Sequence, residues 1–548
     1  MATKVDYSLY LVTDSTEAIL GSKDLVQVVE QALKGGVTIV QYRDKKSDTG
    51  FFIETGKRLH QVCQKYNIPL LINDRVDVAL AVGCEGVHLG QDDMDITSAR
   101  QLLGKTKIIG ATVSSTQEAE IAVKAGADYL GIGTLYATST KKDTKSIIGI
   151  NGIRQILRYL GYQEDQKFKD VKTVCIGGIN ASNLQRIIFQ LSGSCSPRAI
   201  NGVAIVSAIM AAQDPESASS NLKSLLNSPP PWKAKSTEPH FWHEKEADEF
   251  THIKTQTLKA IRAVASTSPL SHNMTNLVVQ NISANIALAI GASPIMSNNG
   301  AEAADLAKLG GGLVINMGTA TPDALANHRK AVEAYNAAGG PIVLDPVGAG
   351  ATSARKAALA FLLASGYFDL IKGNEREILS VARACGFTIS DASQQRGVDS
   401  GTALYTTPQK CRIVSRLAAC ERNIILMTGA TDIISDGVRT YTISNGSHYL
   451  GLITGSGCSL GTTLAAYMAA NPGDKLLAAV AGILHYEIAA EYAAKRQDVQ
   501  GPGTFVPAFI DELYNRRVEG DGSDPAWIHE LKVGTVKEVP DAGVLKDV

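Results

Sequence analysis

Between residues 7 and about 210, short apolar runs alternate with helical patterns. The runs are YSLYLVTD, VTIVQYRDK, PLLINDR, GVHLGQ, KIIGATV, DYLGIGTLY, VKTVCIGGIN and GVAIVSAI. Their nearly continuous apolar character predicts strands buried on both faces, as in a parallel sheet. Helical candidates at 23–34, 51–66, 116–125 and 182–190 supply crossovers between them. Eight such units predict an N-terminal (β/α)8 TIM barrel. A second α/β pattern starts near residue 251. Its long Ala-rich helical segments include 277–291 and 476–494, and its strand candidates are GGLVINMG, PIVLDP, FDLIKGN and NIILMTG, followed by a β-ribbon in DIISDGVRTYTISNG. This pattern predicts a sheet wrapped by helices rather than a second barrel.

Between the two patterns, residues 228–250 are rich in proline and charge and follow neither apolar period. They read as a linker. Trp232 and Trp242 leave two alternatives open, a plain spacer or a segment docked on a domain surface. The expected organisation is a barrel at 1–227, a linker at 228–250 and a second domain at 251–548. At 548 residues the chain exceeds the size at which one core keeps growing.

Composition acts mainly by exclusion. Lys plus Arg number 53 against 54 Asp plus Glu, and a net charge of -1 gives no broad field to attract nucleic acid or an anionic membrane. The N-terminus lacks a secretory pattern, and no apolar stretch reads as a convincing membrane span. The eight cysteines are scattered, without CxxC or zinc-type Cys/His spacing. A cytoplasmic protein in which most cysteines are buried reduced thiols is expected, with small-molecule substrates rather than nucleic acid or membrane as partners.

In a barrel the active site lies at the C-terminal ends of the strands. Gln41, Arg43 and Lys45 alternate along an extended segment, so they share one side and either converge on an anion or form a solvated strand end. Asp74 and Asp93 close neighbouring runs and offer Mg2+ one carboxylate each. Asp92 is an alternative to Asp93, and a plain ion pair is the alternative for Asp74. Thr138, Ser139, Thr140 and Lys141 follow the sixth run with hydroxyls and an ammonium. Gly177-Gly178 and Val206-Ser207 lie after the last two runs, where many barrels bind phosphate. The pattern points to two anions, a metal-bound diphosphate and a separate monophosphate.

Taken in order, YLVTD, QYRDK, INDR, GVHLGQDD, TSTK and IGGI make residues 7–210 resemble thiamine phosphate synthase. The resemblance implies that a pyrimidine methyl diphosphate is joined to thiazole phosphate. It implies that Gln41, Arg43, Lys45, Asn73, Thr112 and Lys141 bind the pyrimidine diphosphate, with Arg43 and Lys141 catalytic and Asp74 and Asp93 holding Mg2+. Thr138, Thr140, Gly178, Val206 and Ser207 would hold the thiazole phosphate. Charge then accounts for the chemistry: cations stabilise the departing diphosphate, and the thiazole nitrogen captures the pyrimidine methyl cation without a protein nucleophile. Three positions depart from the family's usual residues: Thr112 stands for serine, Thr134 for proline and Asn201 for aspartate.

In the second half, Thr454-Gly455-Ser456-Gly457-Cys458 precedes the helical run SLGTTLAAYMAA. Such a segment is either a phosphoryl-binding helix start or a simple helix entry. Asp345 in LDPVGAG and Glu377 in KGNERE can support Mg2+ directly or through water, while Lys372 and Thr428 can contact nucleotide phosphates. Together with PLSHNMTNLVVQNISANIALAIGASPIMS, these motifs resemble hydroxyethylthiazole kinase, of the ribokinase-like superfamily, over about 260–515. The resemblance implies ATP as co-substrate, bound by Lys372, Thr428 and Gly457. Met296 and Gly455 would line the thiazole site, with Asn285 at its entrance. Cys458 stands where related sugar kinases carry an aspartate base, and it is either a base or a spectator. A helix N-terminus lowers a thiol pKa. Lys372 stands for the arginine of bacterial kinases. His272 and His448 are left as structural. The family also implies a homo-oligomer, a trimer through the kinase domain, with a hexamer as a further arrangement.

Two other readings compete. A pyrimidine-alcohol kinase is disfavoured by SHNMTNLVVQN, and a metabolite-sensing module by the intact set Arg43, Asp74, Asp93, Lys141, Gly457 and Cys458.

Overall fold

The computed structural model describes residues 5–137, 147–193, 197–233, 242–243, 245–389, 404–522, 524–539 and 545–546. The chain divides into two compact units, Met1–Pro230 and Pro231–Val548.

In the first unit, β1 (Leu9–Val12), β2 (Ile39–Tyr42), β3 (Leu70–Asn73), β4 (Gly86–Leu89), β5 (Ile108–Val113), β6 (Tyr129–Ile132), β7 (Lys172–Ile176) and β8 (Gly202–Ile205) close into a barrel. Every neighbouring pair is parallel, and β8 returns to β1. Alternation explains the unbroken apolar runs: Tyr10, Ile39, Leu71, Tyr129, Val174 and Ala204 fill the interior. Their neighbours Leu9, Leu11, Val40, Ile72 and Leu130 pack outward in the larger core. Asp24, Asp48, Asp95 and Asp214 cap the N-termini of barrel helices with their side chains.

The second unit contains β9 (Leu270–Met274), β10 (Ser293–Ile295), β11 (Gly312–Asn316), β12 (Ile342–Asp345), β13 (Leu370–Asn374), β14 (Thr388–Ile389), β15 (Ile424–Thr428), β16 (Asp432–Ser435), β17 (Thr440–Ile443), β18 (Val533–Thr535) and β19 (Leu545–Lys546). Nine of them form one sheet in the order β10-β9-β11-β12-β13-β15-β16-β17-β18. The sheet is parallel through β15, then antiparallel across the expected ribbon β16–β17 and on to β18. β14 pairs with β19 separately.

Sequence periodicity did not suggest β9, because LSHNM is largely polar. Ser271, His272 and Asn273 are nevertheless buried. Hydrogen bonds offset their desolvation: Thr462 Oγ1 donates to Asn273 Oδ1 at 2.7 Å, Asn273 Nδ2 donates to the Ser271 carbonyl at 2.9 Å, and His272 Nε2 lies 3.0 Å from the Ser297 carbonyl. The helix Lys475–Lys495 is long and apolar enough to cross a membrane by length and composition, but 94% of its most apolar window is buried within the protein.

Within the 228–250 segment, the Ser228 and Pro229 carbonyls accept from Gln185 Nε2 of the barrel, whereas Trp232 and Trp242 pack on the second unit. Trp232 stacks on Tyr367 with ring centroids 5.2 Å apart, and its carbonyl accepts from Lys475 Nζ at 2.7 Å. Trp242 meets Tyr441 edge-on at 5.1 Å. Trp232→Ala should therefore destabilise the second unit by about 3 kcal/mol. The measurement is heat inactivation of each activity in the same chain; a fall in the midpoint for the second unit alone is expected, and equal midpoints for mutant and parent would contradict the docking energy.

Candidate functional site

The barrel strands bring their closing residues together. Gln41 Nε2 donates to Asn73 Oδ1 at 3.1 Å, linking β2 to β3. The Arg43 backbone N–H donates to Thr13 Oγ1 at 3.0 Å, and its guanidinium lies 3.7 Å from the buried carboxylate of Asp14. Lys45 Nζ is 3.1 Å from Asp74 Oδ2. Asp74 has a left-handed backbone, with φ of 64°, and its N–H donates to the His88 carbonyl at 2.8 Å. Those constraints turn its side chain toward Asp93, whose Oδ2 accepts from the Gly90 N–H at 2.7 Å. Burial, and then the hydrogen-bonding contact with Asp74, hold the Asp93 carboxyl above the usual range. Asp93 meets Asp74, while Asp92 is exposed. Two carboxylates pressed together beside a lysine suit a divalent cation.

Thr112, near the end of β5, lies 2.8 Å from His88 Nε2 through its hydroxyl. Gly177 and Gly178 follow β7 with φ of 116° and 68°, in the region open to glycine. Val206 and Ser207 begin the short helix Ser207–Met210 directly after β8. Asn201 Oδ1 accepts the Thr173 N–H at 2.9 Å, so this position braces β7. Thr138, Ser139, Thr140 and Lys141 lie outside the described residues.

The second unit has an equally tight cluster. Asp345, closing β12, is 3.2 Å from Lys372 Nζ and accepts from Asn316 Nδ2 at 2.9 Å. Asn316 Nδ2 also lies 3.2 Å from Cys458 Sγ, and Asn276 Nδ2 donates to Asn316 Oδ1 at 3.2 Å. Lys372 is only 3% exposed, beneath the first turn of the helix Ser456–Ala470: a Cβ placed on Gly457 would sit 3.8 Å from its Nζ. Burial opposes its charge, but Asp345, Cys458 and Glu377 raise its pKa. Burial raises Asp345. Glu377 caps its helix through the Asn374 N–H at 2.9 Å and accepts the Gly348 N–H at 2.8 Å; burial and then Asp345 push it up to about 7. This couple also fits a divalent cation.

The helix Ser456–Ala470 starts at Gly455, with φ of 90° and no side-chain cap, so its first-turn N–H groups receive no side-chain acceptor there. A Cβ on Gly455 would approach Val279 Cγ1 to 2.7 Å. Thr428 closes β15 opposite Asn374, and Met296 follows the edge strand β10. Asn285 is apart from this cluster. It lies on the outer face of the helix Gln280–Ala289, bonded to the Asn281 carbonyl at 3.0 Å, and borders an open groove with Tyr514 and Asn515.

Burial, and then Asp345, push the Cys458 thiol up to about 12, opposite to the lowering expected at a helix start. A helix terminus contributes about 0.3–1 kcal/mol, less than one pKa unit, so desolvation wins. Sequence reading overlooked Asn276, Asn316 and the buried Asp14. Asn316 and Asp14 close or follow expected strands in the quoted motifs NMG and YLVTD, so the strand-end rule would have found them; Asn276, in NMTN, follows β9, which periodicity did not suggest. Asp432, beside Thr428, was also overlooked; burial raises it to about 6.

The "Hydroxyethylthiazole kinase family" model matches residues 261–519, and the "Thiamine monophosphate synthase" model matches residues 9–209. The chain is similar to the "Probable thiamine biosynthetic bifunctional enzyme" of Schizosaccharomyces pombe, at 41% identity over 542 residues, covering 97% of this chain and 99% of that protein. It is 38% identical over 556 residues to the "Thiamine biosynthetic bifunctional enzyme" of Saccharomyces cerevisiae, covering 96% and 98% respectively. A "Thiamine-phosphate synthase" of Clostridium novyi matches 40% of this chain and 99% of its own length, at 40% identity.

A neutral, shielded Cys458 should react slowly with iodoacetamide. Peptide mass spectrometry of the native chain at pH 8 is expected to give alkylation at least about 100-fold slower than free cysteine. A rate matching free cysteine would contradict the raised thiol.

Proposed function

The chain belongs to the bifunctional thiamine biosynthetic enzymes, a thiamine phosphate synthase fused to a hydroxyethylthiazole kinase, and from that premise we propose how its residues divide the work. The second unit phosphorylates 4-methyl-5-(2-hydroxyethyl)thiazole with ATP. The barrel then joins thiazole phosphate to hydroxymethylpyrimidine diphosphate, releasing diphosphate. One charge arrangement carries this reading because it occurs twice: Asp74 and Asp93 with Lys45, and Asp345 and Glu377 with Lys372.

We assign Mg2+ to both carboxylate couples; when bound, it supplies positive charge for phosphate oxygens. In the barrel, Arg43 is braced by Asp14 and joins Gln41, Lys45, Asn73, Thr112 and Lys141 around the pyrimidine diphosphate. These groups stabilise the departing diphosphate as the thiazole nitrogen bonds to the pyrimidine methyl carbon. Gly178, Val206 and Ser207, with Thr138 and Thr140, hold the monophosphate. In the kinase, Gly457 and Thr428 hold ATP, and Lys372 offsets the charge of Asp345. Gly455 and Met296 border the thiazole. Of the two alternatives for Cys458, its raised pKa supports a spectator over a base, because a thiol that stays protonated does not take the alcohol's proton. Asn285, on an outer helix face, takes no part within one chain.

We further infer a homo-oligomer, a trimer through the kinase unit, supported by exposed Leu288, Tyr514 and Val518. A cytoplasmic setting is the reading the sequence suggests; six of the seven described cysteines are free thiols, whereas Cys420 is disulfide-bonded and departs from the expected reduced state.

A coupled assay with ATP, Mg2+, thiazole alcohol and pyrimidine diphosphate should yield thiamine phosphate. Asp74→Asn should lower synthase turnover at least about 100-fold while thiazole phosphate still accumulates. Glu377→Gln should give the complementary result, with supplied thiazole phosphate restoring product. Absence of thiamine phosphate from the intact chain, or phosphorylation of the pyrimidine alcohol alone, would refute the assignment.

A further inference from the structure

Strand register places three residues in line across the barrel: His88 on β4 pairs with Gly110 on β5, which pairs with Tyr129 on β6. Thr112 lies two residues farther along β5 and pairs with Gly131. Both glycines make room for the polar side chains. A Cβ on Gly110 would stand 2.1 Å from the Tyr129 ring, and one on Gly131 would stand 2.9 Å from His88 Cε1. From β1, Tyr10 completes a chain: its hydroxyl is 2.7 Å from the Tyr129 hydroxyl, which is 2.7 Å from His88 Nδ1, while His88 Nε2 is 2.8 Å from Thr112 Oγ1.

The chain has two possible hydrogen-bond directions, with different consequences at Thr112. If His88 Nδ1 donated to Tyr129, Tyr129 would donate to Tyr10. The Tyr10 hydrogen would then remain in the barrel core, where its hydroxyl is buried and makes its one hydrogen bond, among the described residues, with Tyr129. In the reverse direction every interior hydrogen is used. Tyr10 donates to Tyr129, Tyr129 donates to Nδ1, and the ring hydrogen sits on Nε2, where it donates to Thr112 Oγ1. Unmet buried donors are disfavoured, so the second direction prevails.

We propose that His88 is a positioning residue of the synthase: the Tyr10–Tyr129–His88 chain fixes its Nε2–H tautomer, leaving the Thr112 hydroxyl hydrogen to donate to the pyrimidine diphosphate. This rests on the reading of Thr112 as part of that substrate's pocket. The substrate supplies hydrogen-bond acceptors, the pyrimidine ring nitrogens and diphosphate oxygens. In the opposite tautomer Thr112 would spend its hydrogen on His88 and present only lone pairs to those acceptors. The barrel interior would thus determine the polarity of a hydroxyl at its mouth.

The test uses the full chain. In wild-type protein labelled with 15N-histidine, the His88 signals are assigned by their loss in His88→Asn; hydrogen on Nε2 supports the direction, and hydrogen on Nδ1 overturns it. Kinetically, Tyr129→Phe should raise KM for pyrimidine diphosphate about tenfold, with KM for thiazole phosphate and the kinase rate unchanged. Thr112→Ala should produce a similar loss, and adding Tyr129→Phe to it should produce no further loss. Additive losses, or a parallel rise in both KM values, would indicate support of the barrel alone and overturn the proposal. An unchanged pyrimidine KM in Thr112→Ala, with hydrogen on Nε2, would instead refute the pocket assignment while leaving the hydrogen-bond direction intact.

Discussion

Parallel strands enter a sheet from one side and leave it from the other, so residues that close them are gathered on one face whatever their spacing in sequence. Both units depend on this constraint. In the barrel it brings Gln41 beside Asn73, and the loops continuing from the strands bring Lys45 to Asp74 and Asp74 to Asp93. In the open sheet it sets Asn316 opposite Asp345 and Asn374 opposite Thr428. Unlike sheet orders therefore reach a similar electrostatic solution. Two crowded acids raise proton affinity, and a lysine limits the charge without removing the carboxylates.

The same logic separates the features legible in sequence from those that were not. Barrel strands were clear because burial on both faces leaves continuous apolar runs. β9 was hidden because its polar side chains are buried through hydrogen bonds, which hydrophobic periodicity does not register. Asp74 and Asp93 were legible as acids closing neighbouring runs, whereas choosing Asp93 over Asp92 required the turn that bonds Gly90 to Asp93. Asn285 belongs to a recognisable motif, but helical phase sends it outward. The environment of Cys458 depended on depth: a helix start favours thiolate, but burial against Asp345 outweighs it.

Polar groups in these interiors also specify orientation. Asn316 donates toward both Asp345 and Cys458, tying a strand end to the helix start above it. Lys372 beneath that helix limits the freedom of the same cluster. Packing alone could fill either volume. Hydrogen-bond direction and charge distinguish one arrangement of the side chains from its near equivalents.

The buried Lys475–Lys495 helix has a consequence for inactivation. While the second unit is folded, its apolar surface is covered from several sides. Unfolding uncovers a 21-residue segment with membrane-like hydropathy. Encounters between such segments favour clumping over orderly return to the native state. The kinase half is therefore governed by the lifetime of its closed core: a brief opening can become permanent loss when another exposed chain reaches it first.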